Sequence, residues 1–359
     1  MTAVGNARPP QMRSGSVMTR SPLFSLLALA LGLALWGCGT PSPVGQRVPD
    51  FTEAEGTAPG AFDPEAFNFL IVGDWGRNGF FNQAEVADAM GRVGASIESR
   101  FTISTGDNFY LAGVTGVDDV KWDRSFESIY TAASLQSRWY SVLGNHDWQG
   151  DVPAQIAYTE LSDRWYMPAQ YFAETLALDD GTQVLFVFLD TSPLAYPETY
   201  QTRFSDSGVW DADDQLVWLD RTLANSEAPW KIVVGHHPIY VGSVRYSDNE
   251  RLVERLVPLM ERHGVQAYFA GHDHNLQHHR PDGSSVDYFV SGAGSLTREV
   301  VETPNTLFAL RTPGFMAVSM SPTTMNVQAF DEDEALVYAA DVPLRRGSRL
   351  DLPFGLGSE

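Results

Sequence analysis

A short apolar run that ends in glycine followed by Asp, Asn or His recurs along this chain, and it limits the possible folds more than any other feature. Phe69–Val72 leads into Gly73-Asp74-Trp75-Gly76, and Phe101–Ser104 into Gly106-Asp107-Asn108-Phe109-Tyr110. Trp139–Leu143 leads into Gly144-Asn145-His146-Asp147. Ile232–Val234 runs into Gly235-His236-His237-Pro238, and Ala267–Ala270 into Gly271-His272-Asp273-His274-Asn275. Short apolar runs bounded by turn residues read as buried strands. Val184–Leu189 and Tyr288–Val290 read the same way. Helical patterns over Gln83–Arg100, Lys121–Ala133, Asp213–Ser226 and Asn249–His263 separate several of these runs. The alternation implies an α/β domain whose sheet faces are covered by helices. Met316–Ser319, Met325–Phe330 and Ala335–Ala340 read as a β meander. With no repeat and no second boundary after residue 68, one domain is expected over 67–345, followed by a loose tail over 346–359.

The carboxyl ends of strands in open α/β sheets are where ligand crevices form. Taken singly, each polar residue there has an ordinary explanation. An Asp after a strand is a turn former or helix cap, Asn145 a turn residue, and Tyr110 a core phenol with a satisfied hydroxyl. Histidines in loops are usually solvated, as expected of His263, His278 and His279. His272-Asp273-His274 is harder to set aside, because residues two apart in an extended chain point to the same side. Five strand ends that aim carboxylate, amide and imidazole groups at one place, each beside a glycine, indicate a metal-binding cleft.

Asp74, then GDNFY at 106–110, GNHD at 144–147, GHHP at 235–238 and GHDH at 271–274 together resemble the purple acid phosphatase family of the calcineurin-like metallophosphoesterases. The wider segments Gly144–Tyr166, Gly271–Gln277 and Ser291–Gly294 are similar to its small, tartrate-resistant form, and the likeness extends over residues 68–345. It implies a single-domain, four-layer α-β-β-α sandwich. It also implies a binuclear site, in which Asp74, Tyr110 and His274 hold one ion and Asn145, His236 and His272 the other, with Asp107 bridging. Carboxylate and phenolate oxygens suit ferric iron, and the amide–imidazole set suits a divalent ion, whether Fe, Zn or Mn. The implied activity is acid hydrolysis of phosphate monoesters by a metal-activated hydroxide, with small-molecule phosphate esters as partners. His146 matches the family's substrate-side histidine, and Asp147 is expected to orient it or a metal ligand.

One position departs from the pattern. The small mammalian-type enzymes carry a second histidine nine residues after the GHxP ligand, where this chain has Arg245. Arginine holds phosphate but does not donate a proton at ordinary pH. Protonation of the leaving group is therefore expected from His146 or His237, with a preference for activated esters. Two alternatives stay open: a phosphodiesterase or nucleotide pyrophosphatase on the same site, and a non-catalytic surface-binding lipoprotein.

Charge and the amino terminus complete the reading. Lys and Arg total 24 against 45 Asp and Glu, a net charge of -21, which disfavours nucleic acid or an anionic membrane as a partner. An anionic substrate remains compatible, because bound cations reverse the local sign. The single cysteine, Cys38, excludes an internal disulfide and a thiolate zinc cluster. Residues 1–22 hold Arg8, Arg13 and Arg20 without an acid, and the apolar run Leu23–Trp36 follows. This is a bacterial export signal over 1–37, too short for a permanent span of about 20 residues. Leu35–Cys38 resembles a lipoprotein box, so Cys38 is expected to carry a lipid at the cell envelope, with ordinary secretion as the alternative. Residues 38–66, rich in Pro, Gly and acid, read as a tether, and the protein is expected to be a monomer.

Overall fold

Fourteen strands pair into two seven-stranded sheets in the computed structural model, which describes residues 66–203 and 212–345. The first sheet contains β1 (Phe67–Val72), β2 (Thr102–Ser104), β3 (Trp139–Ser141), β4 (Trp165–Tyr166), β12 (Gly314–Met320), β13 (Thr324–Asp331) and β14 (Leu336–Pro343), ordered β14-β13-β12-β1-β2-β3-β4. The second contains β5 (Phe172–Ala177), β6 (Gln183–Phe188), β7 (Trp230–Val234), β8 (Ala267–Ala270), β9 (Leu276–His279), β10 (Asp287–Ser291) and β11 (Thr306–Leu310), ordered β11-β9-β10-β8-β7-β6-β5. Within them β1, β2 and β3 run parallel, as do β6, β7 and β8. Each sheet therefore gathers the carboxyl ends of its central strands on one edge. All described residues belong to one compact unit. The expected leader (1–37), the tether up to residue 65 and the tail over 346–359 lie outside the described residues.

Alternation along the strands builds the layers. Phe186 of β6 meets Phe69 and Phe101 from the first sheet, at ring-centroid distances of 5.6 and 5.7 Å, and Phe188 stacks on Tyr140 at 5.5 Å. Leu185 and Val187, the intervening residues, join a separate core with Leu219 and Leu223 of one helix and Leu252, Leu256 and Met260 of another. These helices, Ala212–Asn225 and Glu250–Arg262, cover the outer face of the second sheet. The latter starts at Asn249, whose side chain accepts the Leu252 N–H at 3.1 Å. On the far side the helix Gln83–Ser96 buries Val86, Met90 and Val93, and its Gly94 lies against Leu70. The result is helix, sheet, sheet, helix.

Two expectations are corrected. Lys121–Ala133 is not one helix: it forms a π-helical turn, Trp122–Glu127, and a 3-10 turn, Ala133–Leu135. Bulky rings sit at its inward positions, with Trp122 stacked on Tyr158 at 3.6 Å and Phe126 and Tyr130 against Trp139 at 5.2 and 4.6 Å. The wider turn accommodates them, and Ser128 N–H reaches back to the Asp123 carbonyl. His278 and His279 are not solvated, because β9 lies inside its sheet between β10 and β11 and is buried along its length. His278 Nε2 meets Asp287 at 2.9 Å and its Nδ1 meets the Tyr338 hydroxyl at 2.8 Å. His263 is half-buried on Asp220 at 2.7 Å.

His279 generates a test. Burial, with the neighbouring His278 imidazole, pushes it down from 6.5 to about 3. Between those values the unfolded chain binds a proton that the fold refuses, so stability falls as pH drops from about 6.5 towards 3, at up to about 1.4 kcal/mol per pH unit. His279→Gln is expected to lose less thermal stability than wild type between pH 7 and pH 4. Equal losses for the two proteins would contradict this.

Candidate metal centre

Three residues of the cluster stand where the backbone is strained. Asp74, Asp107 and His272 have φ of 60, 51 and 69°, a region that side chains other than glycine rarely occupy. Each directly follows a strand and a glycine, and the reversal turns its side chain into the cleft between the sheets. Two glycines at these strand ends are needed for contact. A Cβ on Gly144 would lie 2.2 Å from both Asp107 N and Oδ1, and one on Gly271 would lie 2.5 Å from Asp74 Oδ2.

The polar atoms converge in two knots. In the first, the Tyr110 hydroxyl lies 2.9 Å from Asp74 Oδ1, 2.9 Å from Asp107 Oδ2 and 3.1 Å from His274 Nε2. In the second, His236 Nε2 lies 3.2 Å from Asn145 Oδ1, 3.2 Å from His272 Nδ1 and 3.4 Å from Asp107 Oδ1. Asp107 gives one oxygen to each. The Asp74 and Asp107 side chains are buried, as are the rings of Tyr110, His236 and His274.

Proton counting tests whether this donor set fits cations. Tyr110 has one hydroxyl proton and two carboxylates beside it, so a single hydrogen bond leaves the other oxygens facing each other. His236 Nδ1 faces the Thr105 carbonyl at 2.9 Å, which only accepts. In the neutral ring the proton therefore sits on Nδ1, and the Nε2 lone pair points at Asn145 and Asp107 oxygens. Lone pairs that crowd one another in both knots suit a positive ion at the centre of each. The titration behaviour agrees. Burial alone would raise Asp74, but its hydrogen bond and charge interaction with His274 hold it below the ordinary carboxyl value. Burial and then the Asp107 and Asp74 charges push the Tyr110 phenol well up. Burial opposes a charge on His236, but Asp107 and Asp74 hold it above its ordinary value. The place favours positive charge.

The remaining expected residues divide. His146 lies over the Tyr110 ring at 4.5 Å with 27% of its side chain exposed, and its Nδ1 meets the Leu111 carbonyl. Asp147 does not orient that ring. It is buried and takes N–H groups from Gly144, Asn108, Phe109 and Gln155, so it ties the loops after β2 and β3 together. Burial, then the Asp107 charge, raises it to about 7. His237 packs on His272 at 4.5 Å. Thr191 Oγ1 accepts the N–H groups of His236 and His237, so its own proton goes to His237 Nδ1, 3.0 Å away. That fixes the His237 ring proton on Nε2, an atom that is buried without a protein partner. Arg245 stays outside the knots: it is exposed, above its neighbour Tyr246, and lines a 500 Å³ surface cavity with Tyr196 and Glu198.

Several residues in the site were not read from the sequence. Tyr246 packs against His272 with ring centroids 4.6 Å apart, and Arg298 Nη1 reaches both its hydroxyl and the His272 carbonyl at 3.3 Å. Thr191 was within reach of the same reasoning, because it follows Asp190 at the end of β6 as the other polar groups follow their strands. Arg77 and Ser295 carry no such signal.

Comparison with known proteins bears on this geometry. Residues 67–276 match the calcineurin-like phosphoesterase family. Purple acid phosphatase 17 of Arabidopsis thaliana is 41% identical over 239 residues, 64% of this chain and 68% of that protein. Tartrate-resistant acid phosphatase type 5 of Oryctolagus cuniculus is 33% identical over 312 residues, 81% of this chain and 94% of that protein. The solved purple acid phosphatase from yellow lupin seeds shares the fold, with a TM-score of 0.59 at 17% identity, covering 80% of this chain and 55% of its own.

Gly144→Ala is expected to displace Asp107 and weaken metal retention by about tenfold or more. Gly116→Ala, which meets nothing within 4 Å, serves as the control. Equal metal content in both variants after dialysis against a chelator would contradict the tight packing described.

Proposed function

This chain belongs to the calcineurin-like phosphoesterases, in the branch of the purple and tartrate-resistant acid phosphatases, and from that premise we propose that it is an exported acid phosphatase that hydrolyses phosphate monoesters at a binuclear metal centre. The observation that carries the reading is the pair of donor knots joined through Asp107. Asp74, Tyr110 and His274 would hold an oxygen-seeking ion, for which ferric iron is the fit, and Asn145, His236 and His272 a divalent one, Fe, Zn or Mn. When bound, such a pair supplies Lewis acidity and lowers the pKa of water at the site, the source of the nucleophile.

The chain's own residues account for the rest. Asp107 sets the separation of the two knots, since its two oxygens belong to different ones. The backbone N–H of His146 donates to Asp107 Oδ1 at 2.8 Å, which fixes the ring's position relative to both. The Leu111 carbonyl holds a proton on His146 Nδ1, so that in the imidazolium form Nε2 carries the second proton, the one delivered to the leaving oxygen. His237 is walled off by burial, so that task falls to His146 alone. Export rests on the basic and then apolar leader over 1–37, with a lipid on Cys38, the residue that follows it, as the anchor.

Purified protein is expected to be pink to purple and to cleave an aryl phosphate monoester well above its diester at acid pH. Tyr110→Phe should bleach the colour, and a colourless, iron-free wild type of full activity would overturn the ferric assignment. His146→Ala should lower kcat by about 100-fold at unchanged metal content. Loss of metal in that variant would place His146 among the ligands instead.

A further inference from the structure

Arg77 lies in the loop after β1 and is fixed from two sides. Its Nε donates to Ser295 Oγ at 3.0 Å, and the Ser295 hydroxyl donates to the Asp74 carbonyl. The loop that carries it is pinned by buried Gln83, whose Oε1 accepts the N–H groups of Arg77 and Gly79 at 2.9 and 2.8 Å. The guanidinium carbon stands 3.6 Å from the centre of the Tyr110 ring, with the exposed Phe81 ring at 5.7 Å. Among the described residues no hydrogen bond or ion pair engages either Nη, although acids outnumber bases 45 to 24 in this chain. An arginine that a structure anchors by one nitrogen, half-exposed beside an anion-binding cleft, presents its remaining donors to a ligand.

We propose that Arg77 is a substrate-positioning residue whose two Nη groups hold a phosphoryl oxygen while its charge lies over the Tyr110 ring. The proposal rests on the acid phosphatase reading above. Arg245, in the position expected of a substrate-side group, is exposed on its own loop, and Arg77 supplies the fixed cation at the mouth instead. Its charge also has an electronic consequence. A cation above the face of a phenolate lowers the energy of its filled π orbitals. Charge transfer from that ring to a ferric ion then needs more energy, so the guanidinium holds the visible band at shorter wavelength.

The test uses the full-length, metal-loaded protein with inorganic phosphate as the probe. Arg77→Met is expected to move the visible band to longer wavelength and to weaken inhibition by phosphate by about tenfold, the loss of a charge-assisted hydrogen bond. Arg77→Lys keeps the charge without the planar fork, so it should restore much of the band position and only part of the phosphate affinity. Metal content and thermal midpoint of each variant confirm that the fold and the ligands are intact. A change in only one of the two readouts, or in neither, would overturn the proposal. A wild type that is both colourless and inactive towards monoesters would instead overturn the reading on which it rests.

Discussion

Two buried carboxylates that share one phenol hydroxyl set the terms for the rest of this molecule. Asp74 and Asp107 are withdrawn from water, and both lie 2.9 Å from the Tyr110 oxygen. Buried negative charges at that spacing are costly unless cations or donors compensate. The fold brings backbone N–H groups to the task, from His272 to Asp74 and from His146 to Asp107. These do not balance the charge. The histidines beside them complete a donor set that could hold a metal ion, which would balance the charge.

The rest of the architecture can be understood as the means of holding that set. Parallel strands from two sheets bring their carboxyl ends to one cleft, and the aromatic layer between the sheets fixes the distance across it. The loops after β2 and β3 are locked by Asp147, which takes donors from both. Backbone strain at Asp74, Asp107 and His272 is maintained because buried neighbours on every side leave no other arrangement.

Much of the fold was legible because short apolar runs of buried parallel strands differ sharply from the helices between them. The strands β4, β5, β9 and β11 were not, and their sequences explain it. Phe172–Ala177 is an edge strand with a half-buried Glu174 and an exposed Thr175, and Leu276–His279 holds Gln277, His278 and His279, polar residues whose burial only their neighbours in the sheet make tolerable. The helix expected over Lys121–Ala133 failed because its aromatic residues pack on distant rings of Trp139, Tyr158 and Trp165. The knots themselves were legible through glycine and strand ends, which are local signals. Arg77 and Tyr246 come together with them only in space, and Arg245 sits where sequence position alone suggested a direct role that its exposed loop does not give it.

Metal analysis of the purified wild-type chain tests the central claim most directly. The account predicts close to two ions per chain, at least one of them iron, with phosphatase activity lost on chelation and regained on metal return. A chain that hydrolyses phosphate monoesters at full rate with one ion, or with none, would contradict it.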